Sequence, residues 1–130
     1  MSMNDTLATA MSNIMNAENT AKDSCLVTPI SKMLTKMLDI MQLKGYIEGY
    51  EVADKGRGGT YKVKLNGSIN KCGVIKPRFS VSKAEFEKFE KRYLPAKDFG
   101  FIVISTTKGL LTLEEAREKG LGGRLIAFVY

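Results

Sequence analysis

Apolar residues recur at helical spacing at Leu7, Met11, Ile14 and Met15, so positions 6 to about 18 are expected to form an amphipathic helix capped by Asn4 or Asp5. Cys25, Leu26 and Val27 fit a short strand. A second helix is expected over 30–43, opened by Pro29 or Ile30 and ended by Gly45, with Ile30, Met33, Leu34, Met37, Leu38 and Met41 on its apolar face. Methionines at that spacing fill a core. Tyr46 to Val52 then reads as a strand, and the glycine-rich ADKGRGGTY turns into TYKVKLNG, where Tyr61, Val63 and Leu65 face one way and Lys62 and Lys64 the other. Asn66-Gly67 predicts a tight hairpin turn with both residues at positive φ.

Beyond that turn the pattern changes. INKCGVIKPRFSV, at 69–81, mixes β-branched residues with lysines, and Pro77 confines any strand there to an edge or ends it. Ser82 starts a short helix, with Glu85 placed to complete a capping box, Val81 and Phe86 at staple positions, and Pro95 closing it. FGFIVIS, at 99–105, and RLIAFVY, at 124–130, are apolar on both faces, as strands covered on both sides are. Between them lies STTKGLLTLEEAREKGLGG, at 105–123. Thr112 caps a further helix, Glu115 reaches back to it, Leu111 packs on Ala116, and Gly120 with Gly122 and Gly123 stops it.

These elements predict an α+β chain of two compact lobes: an N-terminal α/β lobe, 1–66, with two helices on a small three-stranded sheet, and a C-terminal mostly β lobe, 67–130, with short helices. At 130 residues the chain has room for little more.

Charge separates the halves further. Residues 1–54 hold four basic and seven acidic side chains, a balance of −3, while the rest hold sixteen and seven, a balance of +9. Between Lys55 and Lys83 there are eight Lys or Arg and no acid, a run that draws polyanions. Candidate chemistry is correspondingly narrow. There is no histidine, so the usual hydroxyl-imidazole relay is unavailable, and two cysteines, Cys25 and Cys72, are too few for a structural zinc site. Both are expected to be reduced and half-buried. Ser68 and Lys71 at a Ser-x-x-Lys spacing match by chance too often to mean catalysis. No cofactor motif is present: neither DKGRGGTYK nor the 105–123 segment has Walker or dinucleotide spacing. The absence of a long apolar run and of a basic leader favours a cytoplasmic protein with no membrane contact.

What remains is binding. Ser105, Thr106 and Thr107 leave a strand end with three short hydroxyls, Lys108 adds a cation, and Gly109, Gly122 and Gly123 permit close backbone approach. Such a turn suits phosphate oxygens, ribose hydroxyls or base edges, with a plain connector as the other reading. A protein-interaction module whose basic face meets an acidic partner is the alternative in another class.

The motif STTKG…EEAR…GLGG resembles the C-terminal signature of the small-subunit ribosomal protein number eight family, and SKMLTKMLDIMQLKGYIEGYE, at 31–51, extends the resemblance over essentially the whole chain. INKCGVIKPRF and EKFEKRYLPAKDFGFIVISTTKG are similar to the archaeal and eukaryotic branch, most closely an archaeal member. The resemblance implies a non-catalytic protein, monomeric when free, that binds the central domain of small-subunit ribosomal RNA directly and early in assembly, beside neighbouring ribosomal proteins in the cytoplasm. It implies that Ser105, Thr106 and Thr107 face the RNA minor groove and an exposed base, with Lys108 near the backbone and Gly109, Gly122 and Gly123 beside the same RNA. Ser31 and Lys32 match a loop-to-helix start at which amides meet phosphate. Lys71, Lys76 and Arg78 supply backbone affinity. Arg124 departs from the acid that many bacterial members carry after the glycine pair, so a phosphate or packing role is expected there.

Overall fold

A computed structural model describes residues 5–28, 30–56, 58–76, 78–96 and 99–130. The chain divides after Gly73, against the boundary at 66/67 expected above, because residues 67–73 run along the first helix. The Ile69 N–H donates to a Glu18 carboxylate oxygen (3.3 Å), and the Cys72 thiol donates to the Met11 carbonyl oxygen (3.6 Å).

The first unit contains α1 (Asp5–Asn19), β1 (Ser24–Val27), α2 (Lys32–Leu43), β2 (Ile47–Asp54) and β3 (Thr60–Leu65). Its sheet runs β1-β3-β2, antiparallel throughout. Tyr61, Val63 and Leu65 are buried while Lys62 and Lys64 are exposed, the alternation expected for a strand with one covered face. Leu34, Met37, Leu38 and Met41 of α2 and Met11 and Ile14 of α1 are buried, so the methionines do fill a core.

Two local features differ from expectation. α2 opens at Ser31, with neither Pro29, which lies outside the described residues, nor Ile30 as its cap: the Ser31 hydroxyl accepts from the Leu34 N–H (3.1 Å). Ser31→Ala is expected to cost about 1 kcal/mol, read from a urea denaturation curve. Asn66-Gly67 makes no hairpin. Only Gly67 has positive φ, +77°, and the Asn66 side chain accepts from the Ser68 N–H (3.1 Å), a turn that carries the chain away from β3 and out of its sheet.

Burial, and secondarily the nearby Glu18 carboxylate, pushes the Cys25 thiol up to about 11 and the Cys72 thiol to about 12, from 9.0. The folded thiols hold their protons where the unfolded ones release them, so this contribution is complete below pH 9 and is lost as pH rises through 11 to 12. The urea midpoint should therefore fall over that window, and less steeply in a Cys25→Ser/Cys72→Ala variant. Both cysteines are free.

The second unit begins within β4 (Cys72–Val74) and continues through β5 (Ser80–Val81), a 3-10 turn (Lys83–Glu85), α3 (Phe86–Tyr93), β6 (Phe101–Thr106), β7 (Gly109–Thr112), α4 (Leu113–Lys119) and β8 (Gly123–Val129). Its sheet runs β4-β8-β6-β7, with β5 also pairing with β8. Phe101 to Ile104 and Leu125 to Ala127 are buried, as expected for central strands. Both expected capping boxes form, Ser82 with Glu85 and Thr112 with Glu115, and Gly120, at φ +68°, stops α4 before the glycine pair is reached. The lead-in to that helix is itself a strand: β7 pairs with β6 from Val103↔Thr112 to Thr106↔Gly109, so the expected loop after Ser105 is a two-residue hairpin.

Candidate nucleic-acid interface

The hydroxyl turn sits where three strand ends meet. In the antiparallel registers Ser80↔Arg124 and Ser105↔Arg124, the ends of β5, β8 and β6 stand abreast. Facing residues on neighbouring strands project to the same side of a sheet, so Arg124 stands between two serines. One step further into the sheet the pairing slips between Val103/Ile104: Val103 pairs with Ala127 but Ile104 with Leu125, which leaves Ile126 as an extra residue. A bulge bends a strand and resets which way its side chains point. Here it keeps Leu125, Ile126 and Ala127 all buried while Arg124 emerges exposed.

The glycine pair makes the convergence possible. A Cβ on Gly123 would run into the Ser105 carbonyl oxygen, with the Ser105 carbonyl carbon at 2.9 Å, and one on Gly122 would lie 2.7 Å from the Val81 carbonyl oxygen. The close backbone approach expected at these glycines is thus met within the protein, by β6 on one side and β5 on the other.

The result is an open groove of ≈ 860 Å³ lined by Ser80 to Lys83, Ser105 to Thr107, Gly120, and Gly122 to Arg124. It unites Ser105, Thr106, Thr107, Gly122, Gly123 and Arg124 from the expected site. Lys108, at the tip of the hairpin, and Gly109, the first residue of β7, are exposed and lie outside the lining. The hydroxyls divide the work. Thr106 Oγ1 donates to the Gly109 carbonyl oxygen (2.9 Å) and accepts from the Lys108 N–H (3.0 Å), so it shapes the turn. Among the described residues no hydrogen bond engages the side-chain hydroxyls of Ser80, Ser105 or Thr107, and all three line the groove.

The opposite wall, Ser80 to Lys83, was not among the expected residues. Its signal was present in the alternation of Ser80 and Ser82 about the apolar Val81, next to Lys83, but only the pairing of β5 with β8 brings it to the groove. Ser82 also closes the capping box: its backbone N–H, and secondarily its hydroxyl, hold the Glu85 carboxyl below the usual carboxylate range. That carboxylate therefore serves the turn.

The other expected residues lie apart from this groove. Ser31 and Lys32 line a hollow of ≈ 580 Å³ in the first unit, with Ile30, Thr35, Lys36 and Asp39, at the start of α2. The Thr35 and Tyr61 hydroxyls meet at 2.8 Å, and Tyr50 donates to Asp39, so β2 and β3 hold that end of the helix. Lys71 is exposed just before β4. Lys76 is exposed and Arg78 half-buried in the segment between β4 and β5.

Among the described residues no three His, Cys, Asp or Glu side chains converge, and no helix is long and apolar enough to cross a membrane. The fold is a small α+β one of two units, and the second carries the open, hydroxyl-lined groove. The family model described as Ribosomal protein S8 matches residues 5–130, and the chain belongs to that family. Its members are non-catalytic structural proteins of the small ribosomal subunit that bind ribosomal RNA and meet other ribosomal proteins.

Proposed function

We propose that the chain binds the central domain of small-subunit ribosomal RNA through the groove between β5, β6 and β8 and helps organise that domain during assembly. The observation that carries this reading is the convergence of Ser80, Ser105, Thr107 and Arg124 on one open surface next to the glycine pair. Hydroxyls that donate and accept suit ribose 2′-OH groups and base edges, whereas Arg124 and Lys83 suit the phosphates that flank them. Gly122 and Gly123 line the same groove, beside the RNA.

Lys108, at the hairpin tip beside Gly109 of β7, reaches the RNA backbone. Lys71, Lys76 and Arg78 add sequence-independent attraction, which counterion release makes steeply salt-dependent. The hollow at the start of α2, with Ser31 and Lys32, takes a second stretch of RNA backbone. INKCGVIKPRF and the segment around α3 favour the archaeal and eukaryotic type, most closely archaeal, working in the cytoplasm as a monomer until it meets its RNA. Divided after Gly73, the units carry net charges of +2 (nine basic, seven acidic) and +4 (eleven basic, seven acidic), and RNA affinity is concentrated in the second.

Filter binding to a central-domain RNA fragment and to a scrambled RNA of equal length tests this reading. Site-specific binding near physiological salt is expected; equal binding of both RNAs would favour a basic protein-interaction module instead. Lys76→Ala and Arg78→Ala should each weaken both RNAs alike and lower the salt slope by about 1.

A further inference from the structure

We propose that the outer edge of β2 receives an extended, lysine- or arginine-rich segment of another protein as an added fourth strand, in register with Gly49 to Val52. β2 ends the sheet β1-β3-β2, so among the described residues its far side carries unpaired backbone groups. From Glu51 to Asp54 every residue is exposed, Val52 at 49%. An open edge of this kind is a template for a further strand.

The charge on the strand selects the occupant. IEGYEVAD holds Glu48, Glu51 and Asp54 and no cation, in a protein whose overall charge is +6. Edge strands commonly exclude visitors with a lysine; this one repels only strands of its own sign. Pairing β2 with β2 of a second copy would set three carboxylates against three, which disfavours self-association. A basic strand meets the opposite situation. Glu51 already lies 3.9 Å from Lys64 on the neighbouring strand, but with both side chains more than half or half exposed that pair leaves the carboxylate open to a further cation. The edge also has limits. Register shifts between Ile47/Gly49 and Val52/Asp54 bend β2 at both ends, which confines regular pairing to residues 49–52 and so to a short segment. Tyr50, bonded to Asp39, anchors the middle of that ladder to α2.

The probe is a capped heptapeptide of alternating lysine and valine, titrated into the 15N-labelled full chain without RNA. Shift changes and slowed exchange are expected at the amides of 49–52, with a Kd raised about tenfold by Glu48→Gln/Glu51→Gln/Asp54→Asn. The glutamate-valine peptide and a backbone N-methylated lysine-valine peptide should leave those amides unchanged. Equal binding of the N-methylated peptide would overturn strand addition in favour of simple charge attraction. Shifts at 49–52 that depend on protein concentration without peptide would overturn it in favour of a second copy, and shifts confined to other strands would remove β2 altogether.

Discussion

Gly123→Ala is expected to destabilise the protein by ~3 kcal/mol and to abolish groove binding at temperatures where the chain still folds. The added methyl collides with the Ser105 backbone carbonyl and lies 3.2 Å from Ile104 Cγ1, so no side-chain rotation relieves it. Relief requires β8 to move away from β6, and both strands belong to the buried core around Ile102, Ile104 and Leu125. The same movement separates Arg124 from Ser105 and opens the groove floor. Urea denaturation measures the first effect and RNA titration the second. A change of less than about 0.5 kcal/mol, the usual range for a neutral surface substitution, would mean that the strands are not held at this spacing.

Ser105→Ala/Thr107→Val is expected to lower affinity for the central-domain RNA by about 100-fold and for scrambled RNA by less than about threefold, since each hydroxyl contact with a specific site is worth roughly 1 to 1.5 kcal/mol and neither change alters charge. Thr106 separates shape from contact. Its hydroxyl holds the turn through Gly109 and Lys108, so Thr106→Ser should retain most binding and Thr106→Val should weaken it by loosening the hairpin. Filter-binding titrations with both RNAs check all three variants. Equal losses on the two RNAs would show that the hydroxyls add general affinity and no selectivity.

Where a signal was local it was legible in the sequence. Tyr61, Val63 and Leu65 alternate because one face of β3 is covered, and the two capping boxes follow from bonds spanning only three residues. The strand β7 was hidden for the opposite reason. Gly109 to Thr112 is too short to show a period, and Leu111 and Thr112 fit a helix entrance equally well; only pairing with β6 decides. Asn66-Gly67 misled because turn chemistry reports a bend and not which strand comes next. At the site, Ser105 to Lys108 and the glycine pair stood out by composition. Ser80 to Lys83 did not, since their role depends on a register set by Gly123 and Val81, more than forty residues apart.

Selective RNA contact is proposed for the groove where β5, β6 and β8 converge. An NMR titration of the 15N-labelled chain with the central-domain fragment, at a salt concentration that suppresses scrambled-RNA binding, tests it most directly. Shift changes are expected to centre on the amides of 80–83, 105–109 and 120–124, with a smaller set at 31–32. Changes spread along 55–78 with residues 105–107 and 122–124 unmoved would contradict it.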